Sequence, residues 1–142
     1  VAKVWVAGWF SLFAAWLLHE VVTFGFFHGY LTGERQLGYG IYPASLGGII
    51  IEALVICAVG AALLAIVSFL LRSNSLRWPV LGAAWLTLCL WSYFETAFGY
   101  RGDFGATWYW HEPFWALMWS PWLTPLATLL GLIPFLWFIR KP

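Results

Sequence analysis

Residues 46–71 read LGGIIIEALVICAVGAALLAIVSFLL, with Glu52 as the single charge. About 20 predominantly apolar residues suffice to cross the roughly 30 Å hydrocarbon core of a bilayer, so this run is expected to be a membrane-spanning helix. The rest of the chain has the same character. Of 142 residues, 63% are hydrophobic and 9% are charged, and the mean hydropathy is +0.82. That leaves too little polar surface to coat a water-soluble domain of this size.

Three further runs flank this one. Val4 to Phe27 follows Lys3. A basic residue ahead of an apolar run also opens a secretory signal, but here the run continues past His19 and no small-x-small cleavage site closes it. The third run, Val80 to Phe98, begins behind Pro79, and proline suits the first turn of a helix. The fourth, Phe114 to Ile139, is punctuated by Pro113, Pro121, Pro125 and Pro134. Proline removes a backbone donor and kinks a helix, which lipid tolerates only where neighbours re-satisfy the freed carbonyl. The pattern is read as a short interfacial or re-entrant segment over Phe114 to Ser120, then a last span from Trp122 to Ile139. The expected fold is all-α: an integral membrane four-helix bundle forming one domain, with spans at about 4–27, 46–71, 80–98 and 122–139.

Lys3, Arg72, Arg77, Arg140 and Lys141 fall at one end of these spans, and Arg35 and Arg101 at the other. Basic residues concentrate on the cytoplasmic side, so both termini are expected there, in what for a bacterium is the inner membrane. The acids take the opposite end: Glu20, Glu34, Glu52, Glu95, Asp103 and Glu112, together with His19, His28 and His111. Glu34 and Asp103 lie near Arg35 and Arg101 and read as solvated turns with local charge pairing, which stabilises little. A net charge of +1 without a basic cluster argues against nucleic acid as a partner. Cys57 and Cys89 sit singly in apolar runs and read as small buried hydrophobes.

Glu20, Glu52 and Glu95 belong to three different spans, and a carboxylate inside a bilayer costs about 2.5–3.5 kcal/mol even on the insertion scale. At about 1.5 Å per residue, Glu52 and Glu95 lie roughly 6 to 9 Å below the outer helix ends and Glu20 a little over 10 Å. His19 shares that layer and His28 sits at its lip. The loop stretch WYWHEPFW, Trp108 to Trp115, carries His111 and Glu112 over the same end. On a straight helix Glu20 and His28 are about 80° apart and face a common side, whereas His19 and His28 lie on opposite faces.

Three chemistries fit this set. A mixed carboxylate and imidazole site for iron, manganese or copper would draw on Glu20, His28, Glu52, Glu95, His111 and Glu112, although the helical signatures Glu-x-x-His and His-Glu-x-x-His are absent. A haem or chlorophyll-type pigment needs one axial histidine with a small residue one turn away, the spacing found in AWLLH, Ala15 to His19. This fragment resembles the local pigment-binding motif of bacterial light-harvesting polypeptides, which are single-span. On that resemblance His19 is a candidate cofactor ligand; His28, at the lip of the same layer, is the other. Third, Glu20, Glu52 and Glu95 can pass protons or couple to a substrate cation. A purely structural role would instead pair these groups with Ser11, Thr23, Ser92, Thr96 and tryptophan N–H groups.

Twelve tryptophans complete the pattern. An interfacial aromatic belt accounts for Trp5, Trp9, Trp78, Trp108, Trp110, Trp115 and Trp137. Trp16, Trp85 and Trp91 lie nearer mid-span and are expected to line a helix interface, a flat ligand or a partner subunit. Small residues Ala53, Cys57, Gly60, Ala61 and Ala65 mark a close-packing face of the second span, and Ala84, Leu88, Trp91 and Glu95 form a stripe on the third. No catalytic motif stands out. The expected role is a small multi-span subunit of a larger membrane complex, in contact with lipid and other subunits. Redox, light-driven electron-transfer and oxygenase assemblies are the types considered, with the His/Glu cluster holding a metal or pigment. The alternative is a proton- or cation-coupled carrier using Glu20, Glu52 and Glu95, and a stand-alone metal enzyme is the third reading.

Overall fold

The structure is a computed structural model that describes residues 1–29, 31, 45–104 and 107–141, with only the backbone of Asp103 and Phe104. Helix α1 spans Ala2–Glu20 and continues without a break into a wider π-helical segment, Val21–Phe27. The wider turn is closed by the His28 N–H donating to the Thr23 carbonyl at 2.9 Å. Gly29, with φ 73°, then turns the chain out of the helix, a conformation that favours glycine. Ser45 starts α2, Leu46–Leu70, by accepting the Gly48 N–H on its side chain at 3.0 Å, which satisfies one of the donors left open at a helix start. After a short turn built on Asn74, α3 runs over Arg77–Tyr100, with Pro79 in its first turn, and passes into a 3₁₀ turn, Arg101–Phe104.

The proline-punctuated region divides as its sequence implies. A π-helical turn, Phe114–Met118, is separated from α4, Leu123–Arg140, by residues 119–122. Ser120 and Thr124 cap the start of α4 reciprocally: Leu123 N–H donates to Ser120 Oγ at 3.3 Å, and Ser120 N–H donates to Thr124 Oγ1 at 2.9 Å. Pro134 lies inside α4.

Ala2–Phe27, α2 and α4 are each long and apolar enough to cross a bilayer, so the chain is an all-α, multi-span membrane protein in contact with lipid. Helix α3, at 24 residues, has the length but a less apolar sequence, rich in Trp and Tyr. The surface is correspondingly greasy, with Val55, Val59, Leu63, Leu126, Leu130 and Ile133 all exposed.

Helix α1 is the hub, because α2 and α4 both lie along much of its length. Small residues set how close they come. A Cβ on Gly8 would sit 3.0 Å from Leu64 of α2, and one on Gly60 would sit 3.0 Å from Leu12 of α1. The expected small face of α2 is the buried one, with Ala53, Cys57, Gly60, Ala61 and Ala65 all inside. On the other side, a Cβ on Gly131 of α4 would lie 2.7 Å from the Ser11 carbonyl oxygen and from two ring carbons of Trp85. Trp85 wedges between α1 and α4 and donates from Nε1 to Ser11 Oγ at 2.8 Å.

Helix α3 turns inward a face other than the stripe of Ala84, Leu88, Trp91 and Glu95. Its core row is Leu81, Trp85, Cys89, Tyr93 and Ala97, whereas Trp91 is 62% exposed and Glu95 is exposed. The three mid-span tryptophans therefore divide, Trp16 and Trp85 being core and Trp91 surface. The inward aromatics earn their place through a polar handle: Trp85 reaches Ser11, and Tyr93 donates to the Ala15 carbonyl at 3.3 Å.

The two ends of the molecule are chemically distinct. Lys3 donates to the Lys141 carbonyl and lies 5.3 Å from the centre of the Phe138 ring, joining the termini at one end. Arg77 donates to Ser68 Oγ at 2.7 Å beside the α2 to α3 turn at that end. Glu20, Glu52, Glu95 and Glu112 lie toward the opposite end. Glu34 and Arg35 fall outside the described residues.

Candidate functional site

Glu20 is the last residue of α1, at the point where the helix widens. Only 1% of it is exposed. Oε1 accepts a long hydrogen bond of 3.5 Å from the Tyr100 hydroxyl, and Oε2 has no partner among the described residues. A buried polar group left unsatisfied costs about 1–3 kcal/mol, so this oxygen is a liability for folding alone. It belongs to a cleft of about 380 Å³ between α2 and α3, whose walls carry Glu52 and Ile56 on one side and Ser92, Glu95, Thr96 and Tyr100 on the other. Glu52 and Glu95 are exposed at the rim. The structure thus gathers the three span carboxylates into one cleft, one at its floor and two at its edge. Among the described residues no cation is ion-paired with them.

Ser92 and Thr96 leave the carboxylates alone, since their hydroxyls donate to carbonyls of their own helix, Cys89 at 2.8 Å and Ser92 at 2.9 Å. Tyr100 is the contributor that sequence reading missed. It lies just beyond the expected end of the third span, and its ring stacks on Phe24 at 4.0 Å while its hydroxyl reaches Glu20.

The histidines occupy other places. His19 is fully buried, and both ring nitrogens are engaged: Nε2 shares a 2.8 Å hydrogen bond with the Thr124 hydroxyl and Nδ1 a 3.3 Å one with Thr23. Its ring stacks on Tyr93 at 4.2 Å. Thr23 was an expected partner; Thr124 was not, because nothing in sequence ties α4 to this level of α1. To serve as an axial ligand through Nε2, His19 would have to release Thr124, and Ala15, the small residue one turn away, is itself buried.

His28 donates from Nε2 to the Leu117 carbonyl at 2.8 Å, tying the π-helical end of α1 to the π-helical turn before α4. The helical-wheel expectation that Glu20 and His28 share a side assumed 3.6 residues per turn; the intervening π segment breaks that register. Phe24 stands between them, 5.2 Å from the His28 ring and stacked on Tyr100. His111 is exposed beside Tyr109 and Trp110, and Glu112 closes its own turn by accepting the Tyr109 N–H at 2.7 Å. Among the described residues, no three His, Cys, Asp or Glu side chains come together as a metal-holding group.

A second concavity, about 610 Å³ and almost wholly apolar, lies on the outer face of α3 between Trp91, Phe94, Phe98, Trp110 and Phe114. No protein-family profile matches the chain, nor does any curated protein or solved structure. The geometry of the cleft therefore carries the functional reading.

Proposed function

We propose that this protein is a four-span membrane carrier that binds a cation in the cleft between α2 and α3 and exchanges it for protons held on Glu20, Glu52 and Glu95. One observation carries the reading: Glu20 is buried with a carboxylate oxygen unpartnered among the described residues, and it shares its cleft with two further carboxylates with which no described cation is ion-paired. Intramembrane acids of this kind mark ion and proton pathways. When a monovalent cation enters, one protonated carboxyl gives up its proton and charge is conserved; when the cation leaves, a proton returns. In this proposal α3 is the fourth span, both termini face the cytoplasm as the basic end does under the positive-inside rule, and the membrane is a bacterial inner membrane.

The test is reconstitution into sealed vesicles carrying a trapped pH indicator. Methylammonium added outside is expected to drive proton efflux through the protein, and Glu20→Gln to abolish it. Efflux that persists unchanged in Glu20→Gln sinks the proposal.

A second reading, a subunit of a larger membrane assembly, draws on the exposed aromatic groove of Trp91, Phe94, Phe98, Trp110 and Phe114, which suits a partner's helix or a flat ring. A redox, light-driven or oxygenase role within such an assembly draws less support. Of its metal ligands, Glu20, Glu52 and Glu95 share the cleft but His28, His111 and Glu112 lie outside it, and its pigment ligand His19 is already bonded on both nitrogens. Purification in mild detergent separates the readings: a stoichiometric partner together with a visible absorption band or bound iron or copper favours the assembly.

A further inference from the structure

The acidic cleft does not end at its carboxylates. Ile56, Ser92 and Glu95 line it and also line a second cavity of about 330 Å³, farther along the same α2 to α3 groove. There the walls turn apolar: Val55, Val59 and Leu63 on α2, Leu88 and Trp91 on α3, with Leu12 of α1 behind. Gly60 lets the floor approach closely, since a Cβ there would lie 3.0 Å from Leu12 and 3.9 Å from Leu88. The groove is thus acidic at one end and apolar for about 10 to 16 Å below it, measured from Glu95 to Leu88 and from Glu52 to Leu63 at about 1.5 Å per residue.

Resting on the cation reading above, we infer that the cation is the head of a single-chain amphiphile, an alkylammonium whose amine sits among Glu20, Glu52 and Glu95 and whose chain lies in the α2 to α3 groove. Three features favour this occupant over a bare metal ion or a partner helix. The carboxylates line the cleft without converging as a metal-holding group, which suits a bulkier ammonium hydrogen-bonded to separate acceptors. The two joined cavities have the size of a small-molecule site, whereas a helix with side chains is about 10–12 Å across. Finally, Val55, Val59, Leu63 and Trp91 are exposed on a lipid-facing surface, so an amphiphile already dissolved in the bilayer enters sideways. Charge then selects it, because an alkyl chain gains little on moving from lipid to an apolar protein groove.

Trp91, on the groove wall, reports occupancy. The protein is placed in lipid nanodiscs and titrated with dodecylammonium brominated at mid-chain, and the Trp91 signal is taken as the difference between wild type and Trp91→Phe. The expected result is saturable quenching by the amine, only linear quenching by the brominated alcohol of equal length, and an affinity weakened at least about tenfold in Glu20→Gln. Val59→Phe, which fills the apolar cavity and does not line the acidic cleft, is expected to remove the quenching while leaving methylammonium-driven proton release intact. Should that variant not fold, the comparison of amine with alcohol on the wild type decides alone. Equal quenching by amine and alcohol overturns the inference, as does a co-purifying polypeptide whose removal is needed before quenching appears. If methylammonium still drives Glu20-dependent proton release in either case, the cation reading survives and only the amphiphile fails. If no cation drives release, both fall.

Discussion

Along the seam between α1 and α4, Ser11 accepts from Trp85, and His19 is held by Thr124 and Thr23. Glycine at 131 lets the backbones close to contact. Across the α2 to α3 cleft, by contrast, one carboxylate is buried with an oxygen unpartnered among the described residues, two stand at the rim, and the side chains of Ser92 and Thr96 turn back to their own helix. His19 and Glu20 are sequence neighbours and equally buried, yet one faces the seam and the other the cleft. The lesson is that burial of a polar group does not identify a site; burial without satisfaction, at the floor of a cleft lined by further charges, is what singles out Glu20. Trp16, whose Nε1 also has no partner among the described residues, lacks a cleft with charges to match.

Substitutions on the seam are expected to act on stability, and those in the cleft on binding. Trp85→Ala removes the wedge and its Ser11 bond and should destabilise the fold by about 3–5 kcal/mol, read by denaturant titration in mixed micelles with cation affinity preserved in the folded fraction. Gly131→Ala drives a methyl against the Ser11 carbonyl and the Trp85 ring and should cost about 1–3 kcal/mol. His19→Ala removes the bonds to Thr124 and Thr23, although Thr124 keeps the Ser120 N–H, for a loss of about 1–2 kcal/mol. A double-mutant cycle with Thr124→Val should give a coupling near 0.6 kcal/mol, the usual scale in membranes, and a coupling of zero would show that the bond contributes nothing. Glu20→Gln keeps the shape and the Tyr100 acceptor, so its effect on stability should stay within about 1 kcal/mol while cation-driven proton release disappears. Glu52→Gln and Glu95→Gln, at the exposed rim, should leave stability within about 0.5 kcal/mol and weaken cation binding less than Glu20→Gln does. If His19→Ala instead abolished transport in a stable protein, the division between seam and cleft would collapse.

The carboxylate layer was legible because a charge in an apolar run is conspicuous whatever surrounds it, and its depth follows from helix rise. The small face of α2 was legible for a similar reason, since Ala, Gly and Cys at helical spacing announce close approach. Three things were not. The π segment at Val21–Phe27 shifts the register between Glu20 and His28, and no residue in it differs from those of an ordinary span. Which face of α3 packs inward was not legible in a helix with aromatic residues on several sides, and only the partners of Trp85 and Tyr93 settle which way the helix turns. Thr124 and Tyr100 come to His19 and Glu20 from 105 and 80 residues away, a distance no local pattern spans.

Composition and the length of the apolar runs were enough to establish a multi-span, all-α membrane chain, because the transfer of a long helix into lipid depends on its own side chains and little on its neighbours. Which of the buried polar groups would be satisfied was a matter of how the helices rotate and approach, set by close contacts such as Gly131 on Ser11 and by the widened turn after Glu20. Those choices are cooperative properties of packing, and they separate His19, which holds the bundle together, from Glu20, which faces an acidic cleft.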